Sequence, residues 1–257
     1  MKLSRITSAL LPFALPFAVL VVWQAGTSFG LISDRVLPTP VDVVSAAIRL
    51  AWSGELFANA EASAARALAG LVVGGTIGFA LGLANGLSRG AERITDTTLQ
   101  MLRNIPNLAL IPLVILWFGI GEGAKLFLVA LGVLFPIYVN TFQGVRTVDP
   151  QLIEMGRTYG MSSLTLFRRV ILPGALPSIF VGLRYALGIM WLTLIVAETI
   201  ASSSGLGYMA MEAREFMLID VVVLAILIYA GLGKLADLIT RFLERRLLQW
   251  HPAYQRV

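Results

Sequence analysis

The sequence predicts an all-α, polytopic membrane bundle of about six transmembrane helices. Three observations predict it. Hydrophobic residues make up 57% of the chain and charged residues 14%, against roughly 45–50% and 25% in soluble globular domains. Apolar runs of membrane-crossing length recur near residues 8–30, 62–88, 95–120, 125–145, 174–200 and 220–243. The cations flank these runs rather than gathering on one face, so the net charge of +5 points to lipid headgroups and argues against a nucleic-acid surface. In 257 residues, six crossings leave no room for a separate soluble unit, and residues 1–257 read as one transmembrane domain.

The first run, Ala9 to Trp23 after Lys2 and Arg5, shares its pattern with a secretory signal peptide. It continues through Trp23 without a small-x-small cleavage site, so it reads as an uncleaved first span. Next, LPTPVDVVSAAIRLAWSGEL carries Thr39 as N-cap, Pro40 in the first turn and Asp42 three residues on, the pattern of a short capped helix. Its Val, Ile, Leu and Trp residues suit a helix lying at the outer membrane surface.

Span two holds Gly70, Gly74, Gly78, Gly82, Gly86 and Gly90, one every four residues. Such a ridge lets another helix approach closely. Two readings stand: tight packing within one bundle, or a subunit interface or moving contact. In span three, Pro106 and Pro112 interrupt the helix and free backbone groups that need a polar or wet setting. Arg103, Asn104 and Pro106 are therefore candidates to line a path, with helix-end anchoring as the alternative for Arg103 and Asn104. Trp191 and Glu198, in and at the end of span five, are further path or gate candidates. Glu198 is placed to pair with Arg214 or to orient the external loop, and its charge disfavours direct contact with an anion. Lys234, Asp237 and Arg241 lie three and four residues apart and read as a structural ion cluster, while Arg184 reads as a snorkelling anchor.

Charge sets the direction. With both termini cytoplasmic, twelve cations fall inside (Lys2, Arg5, Arg89, Arg93, Arg146, Arg157, Arg168, Arg169, Arg241, Arg245, Arg246 and Arg256) and four outside (Arg35, Arg49, Lys125 and Arg214). The chain has no cysteine, which removes disulfides and thiolate chemistry. It lacks a Gly-x-x-x-x-Gly-Lys-Ser/Thr phosphate loop, because Gly231-Leu-Gly-Lys234 has neither the spacing nor the hydroxyl. The single histidine, His251, sits in the C-terminal tail as a surface residue. With no nucleophile–base pair and no metal-ligand cluster, the chain reads as a non-enzyme with no cofactor or metal of its own.

The orientation puts EMGRTYGMSSLTLFRRVILP, Glu154 to Pro173, in the cytoplasm between spans four and five. Asp149 and Pro150 start a helix there, Gly160 stops it, and Ser162 or Ser163 caps a second one. Leu152, Met155 and Tyr159 share one face of the first helix. A helix this short needs cover, from a soluble partner or from the chain's own membrane helices.

The stretch resembles the cytoplasmic signature of ABC importer permeases, E-A-A, three residues, G, nine residues, I-x-L-P. Here Glu154, Met155, Gly156, Gly160, Val170, Leu172 and Pro173 stand at the matching spacing, with Met-Gly for Ala-Ala and Val for Ile. MLRNIPNLALIPLVILWFGI, FPIYVNT, ILPGALPSI and MWLTLIVAETI extend the likeness along nearly the whole chain, to permeases of the aliphatic sulfonate type, relatives of the taurine and nitrate permeases. The resemblance implies a type I importer permease fold in the bacterial cytoplasmic membrane, with residues 149–172 as coupling helices. Glu154, Met155, Gly156 and Tyr159 would seat in a groove on an ATPase, Gly160 would turn the helix outward, and Leu172-Pro173 would form a stiff link to span five. It also implies two ATP-binding cassette subunits carrying ATP and magnesium, a second permease copy and an external substrate-binding protein. A taurine, nitrate or other small-anion permease, a secondary transporter and an intramembrane enzyme are the alternatives.

Overall fold

The computed structural model describes residues 2–33 and 36–250. Arg35, His251 and Arg256 lie outside the described residues. Everything regular in the described residues is helical.

Helix α1, Lys2–Ser28, is one unbroken rod whose end is tied down by Trp23, which donates to the Pro38 carbonyl at 2.9 Å. Helix α2, Pro40–Trp52, starts with the expected capping box: Asp42 N–H donates to Thr39 Oγ1 at 3.1 Å, and Thr39 N–H to the Asp42 carboxylate at 3.0 Å. Only half of its apolar surface behaves as a membrane-surface face. Val43, Ala46 and Leu50 are buried against later helices, while Val41, Val44, Ile48 and Trp52 stay exposed.

The centre is formed by α3 (Glu55–Leu87), α6 (Glu122–Arg146) and α9 (Leu172–Ala201). Ala67, Val129, Val133, Ala186, Met190 and Leu194 make their shared core. The glycine ridge is what brings α3 onto α6. A methyl added at Gly70 would meet Val129 Cβ at 2.7 Å, at Gly82 Thr141 Cβ at 2.6 Å and at Gly86 Val145 Cβ at 2.7 Å, while at Gly74 and Gly78 it would run into backbone of Ala130 and Leu134. Gly90 stands apart, in the next helix, with only Ser88 Oγ near it at 3.6 Å. Five glycines therefore pack within the chain, because only glycine lets the two backbones touch.

The expected third span is not one rod. Helix α4, Arg89–Arg103, is capped by Ser88 and has no buried residue. After a break at residues 104–106, a 3-10 turn at Asn107–Leu110 leads into α5, Ile111–Phe118, and the two arms meet at 82°. Pro106 cannot continue the helix, and Pro112 sits in the first turn of α5, where its missing N–H costs nothing.

Among the described residues, four helices are long and apolar enough to cross a membrane, a fifth crossing results if the bent pair counts as one, and Ala14–Ser28 adds a shorter apolar helix. The remaining elements are α7 (Pro150–Thr158), α8 (Ser163–Leu166), α10 (Leu206–Glu215) and α11 (Ile219–Leu247). A π-helical turn at Phe167–Ile171 joins α8 to α9 without interruption, so Ser163–Ile200 is one 38-residue rod. Leu172-Pro173, expected as a stiff link, lies within this continuous helix.

Candidate functional site

The α7–α8 hairpin stands at one end of the bundle. Asp149 accepts from Gln151 N–H at 2.8 Å and Pro150 occupies the first turn. At the other end Gly160 takes φ +73°, its N–H donates to the Arg157 carbonyl at 2.9 Å, and Met161 N–H donates to the Gly156 carbonyl at 3.0 Å. That pair of bonds is a Schellman stop, and a β-carbon disfavours its left-handed residue. Gly156 is buried because a methyl there would come within 2.6 Å of Leu166 Cδ1. Leu152, Met155 and Tyr159 are 47%, 48% and 78% exposed, so the chain's own helices do not cover this face. Glu154 is exposed beside them, and Leu172 and Pro173 lie half-buried in the rod.

Between hairpin and core, a polar joint holds α3, α4 and α6 together. Asn85 donates to Thr95 at 2.8 Å and to Tyr138 at 2.9 Å, and Arg146 pairs with Glu92. On the same half of the molecule Arg184 bonds Glu244 at 2.6 Å and approaches Asp237 at 3.4 Å. It bridges α9 to α11. Asp237 also meets Arg241 at 2.9 Å and Lys234 at 3.7 Å, the expected ion cluster enlarged by Arg184.

The opposite end is closed by a clasp around Glu198, whose side chain is 0% exposed. Its carboxylate accepts from Ser63 at 2.8 Å, Arg66 at 2.8 Å, Gly207 N–H at 2.9 Å and Tyr229 at 2.9 Å. Arg66 also donates to Glu122 at 2.6 Å and to the Ser204 carbonyl at 2.7 Å, and Lys125 joins Glu122 to Ser202. Gly205 N–H donates to Asn59 at 2.8 Å, and Leu206 N–H to Ser63 at 2.8 Å. The clasp therefore ties α3, α6, α9, α10 and α11 to one loop. The expected partner Arg214 has no part in it, and Glu198 faces no open path. Four donors, one of them a guanidinium, are what allow a carboxylate to sit here away from water. Asn59, Ser63 and Arg66 follow i, i+4, i+7 spacing, a polar stripe on span two that could have flagged the clasp beforehand.

Of the other path candidates, Arg103 and Pro106 border a cavity of about 470 Å³ between the α4–α5 break, α6 and α9. Asn104 does not line it. Asn107, Asn140 and Tyr185, which sequence reasoning passed over, do. Trp191 does not line it either. It packs between two apolar clusters, edge-on to Tyr229 with ring centroids 6.1 Å apart.

The described residues thus present an exposed helical hairpin at one end of an apolar helix bundle and a cavity bordered by Arg103, Asn107 and Asn140 on its flank. Residues 74–249 match the family of the binding-protein-dependent transport system inner membrane component. The chain belongs to this family. The permease is 60% identical over 243 residues to the putative aliphatic sulfonates transport permease protein SsuC of Escherichia coli K12, a match covering 95% of this chain and 92% of that protein. To the protein of the same description in Bacillus subtilis 168 it is 46% identical, over 94% of this chain and 87% of the relative. The taurine transport system permease protein TauC of Escherichia coli K12 is 37% identical, over 92% and 88%.

Among solved structures, an amino acid ABC transporter crystallised with histidines superposes with a TM-score of 0.58 at 17% identity, over 75% of the permease and 96% of that chain. The inward-facing MetNI methionine ABC transporter gives 0.51 at 22%, over 68% and 92%. These two carry the fold, that of ABC importer permeases. The permease is a multi-pass inner-membrane transport component.

Proposed function

We propose that the permease carries aliphatic sulfonates into the cell as the membrane subunit of an ATP-driven importer. Residues 1–257 act as one domain, with both termini and the α7–α8 hairpin in the cytoplasm. Two copies pair, two ATP-binding cassette subunits dock on the hairpins, and an external binding protein delivers the anion. ATP and magnesium act in the ATPase subunits and the permease performs no bond chemistry. The observation that carries this reading is the exposed apolar face of α7. Leu152, Met155 and Tyr159 stay uncovered on a helix locked at both ends, and that helix leads into the rod spanning the membrane. Exposed apolar groups on a rigid, short helix fit the groove of a second protein. The relatives named for aliphatic sulfonates supply the substrate.

The role of Glu154 is a polar anchor beside that face, Gly160 sets the helix's presentation, and Gly156 and Leu172-Pro173 keep the hairpin in register with α9. When the ATPases close, the rod tilts and the path opens alternately to each side. Tyr159→Asp and Met155→Asp are expected to abolish co-purification of the ATPase subunits while the melting temperature of the permease stays unchanged. Retained co-purification at the unmutated level would reject the docking role. A taurine permease is the second reading, favoured by the 37% identical relative. Uptake of ethanesulfonate, taurine and nitrate by the reconstituted complex separates the two.

A further inference from the structure

The cavity beside the α4–α5 break lies along the middle of α6. Its α6 lining runs from Gly132 to Asn140, about 15 to 27 Å along a helix about 37 Å long. Its volume of about 470 Å³ falls within the roughly 300–1,000 Å³ usual for small-molecule sites. Three irregularities open it. Helix α4 ends at Arg103, Pro106 turns the chain, and Pro136 inside α6 has no N–H to give the Gly132 carbonyl. Gly132 keeps the wall low there, since a methyl would come within 3.1 Å of Thr193 Oγ1 and 3.5 Å of Asn107 Nδ2.

The charge of this cavity is one-sided. Arg103 lines it, and no carboxylate does. Arg66, Arg146 and Arg184 each hold an ion pair, whereas the side chains of Arg103 and Asn107 have no hydrogen-bond or ion-pair partner among the described residues. An unpaired guanidinium at membrane depth is costly and marks a site whose partner comes and goes. Its planar fork of donors matches a three-oxygen anionic head, and the Asn107 amide adds two neutral donors nearby. Tyr185 and Phe135 provide apolar wall for a short hydrocarbon tail.

The geometry points to a transient anion station: Arg103 and Asn107 hold the sulfonate head of the substrate midway through the membrane, and the aromatic wall accommodates its alkyl part. A single charged residue with neutral helpers lets the anion leave, where two cations would trap it. This deepens the sulfonate reading and rests on it. It also separates Arg103 from the clasp arginine Arg66, whose donors are already engaged.

The test is ethanesulfonate uptake by the complete complex in proteoliposomes, with ATPase stimulation by the loaded binding protein measured alongside. Arg103→Gln is expected to lower uptake about tenfold or more, the loss expected for a charge-assisted bond, with ATPase stimulation retained. Arg103→Lys should fall between, Asn107→Ala should lose less in the same direction, and Asn104→Ala should transport like the unmutated complex. Unchanged uptake in Arg103→Gln, or a parallel fall of uptake and ATPase stimulation, overturns the station. If the unmutated complex carries nitrate but refuses ethanesulfonate, the sulfonate reading fails on its own. The same Arg103→Gln comparison on nitrate then decides whether the cavity handles anions.

Discussion

Glu198 shows what a single residue can organise when it is buried with enough donors. Its carboxylate faces Ser63, Arg66, Gly207 and Tyr229, contributed by three helices besides its own. Truncating one partner of such a buried pair leaves the other uncompensated, at a cost of about 3–5 kcal/mol. Glu198→Ala is therefore expected to lower the melting temperature of the purified permease strongly, and Glu198→Gln, which keeps the shape, to lower it less. Equal melting of Glu198→Ala and the unmutated protein would show that the clasp adds no stability. Sequence alone made Glu198 conspicuous as a charge near the end of an apolar run. It could not name Arg66, which lies 132 residues earlier, because pairing across helices depends on which faces meet.

At the level of elements, the glycine ridge was legible as a four-residue period, but its target was not. The period says only that one stripe of α3 is bare. That α6 fills it, with the Ala130 and Leu134 backbones against Gly74 and Gly78, is a tertiary fact. Gly74→Ala must push two backbones apart and is expected to cost about 1–3 kcal/mol, read as a lower melting temperature. Gly75→Ala, whose added methyl would meet the flexible Ile137 Cδ1 at 3.3 Å and Val133 Cγ1 at an ordinary 4.0 Å, is expected to be nearly silent. Equal effects at the two positions would contradict the packing described. Capping was the most readable layer: Thr39, Asp149, Gly160 and Ser162 all act where the residue types demand, since caps are local. The break near Pro106 was readable as an interruption, whereas its angle and the recruitment of Asn107 depended on packing against α6 and α9.

For the molecule as a whole, the rod Ser163–Ile200 joins hairpin and membrane core over about 57 Å. The π-helical turn within it, where Leu172 N–H reaches the Phe167 carbonyl, holds one more residue than an α-turn would. Inserting one alanine after Leu166, with this wide turn kept, should rotate the hairpin by about 100° relative to α9. ATPase subunits are then expected to bind but no longer to drive uptake, while Arg169→Ala, which keeps the length, transports normally. If both variants transported alike, angular register in this rod would not matter to coupling.

The cavity opens on the flank of the bundle, where Tyr185 is 65% exposed and Arg103 is uncovered. A solitary chain in a bilayer would thus turn a guanidinium toward hydrocarbon, a penalty of roughly 2.5–3.5 kcal/mol on insertion scales. Whatever shields that flank, protein or water, recovers the penalty, so bare lipid is the least favoured neighbour for this side of the bundle.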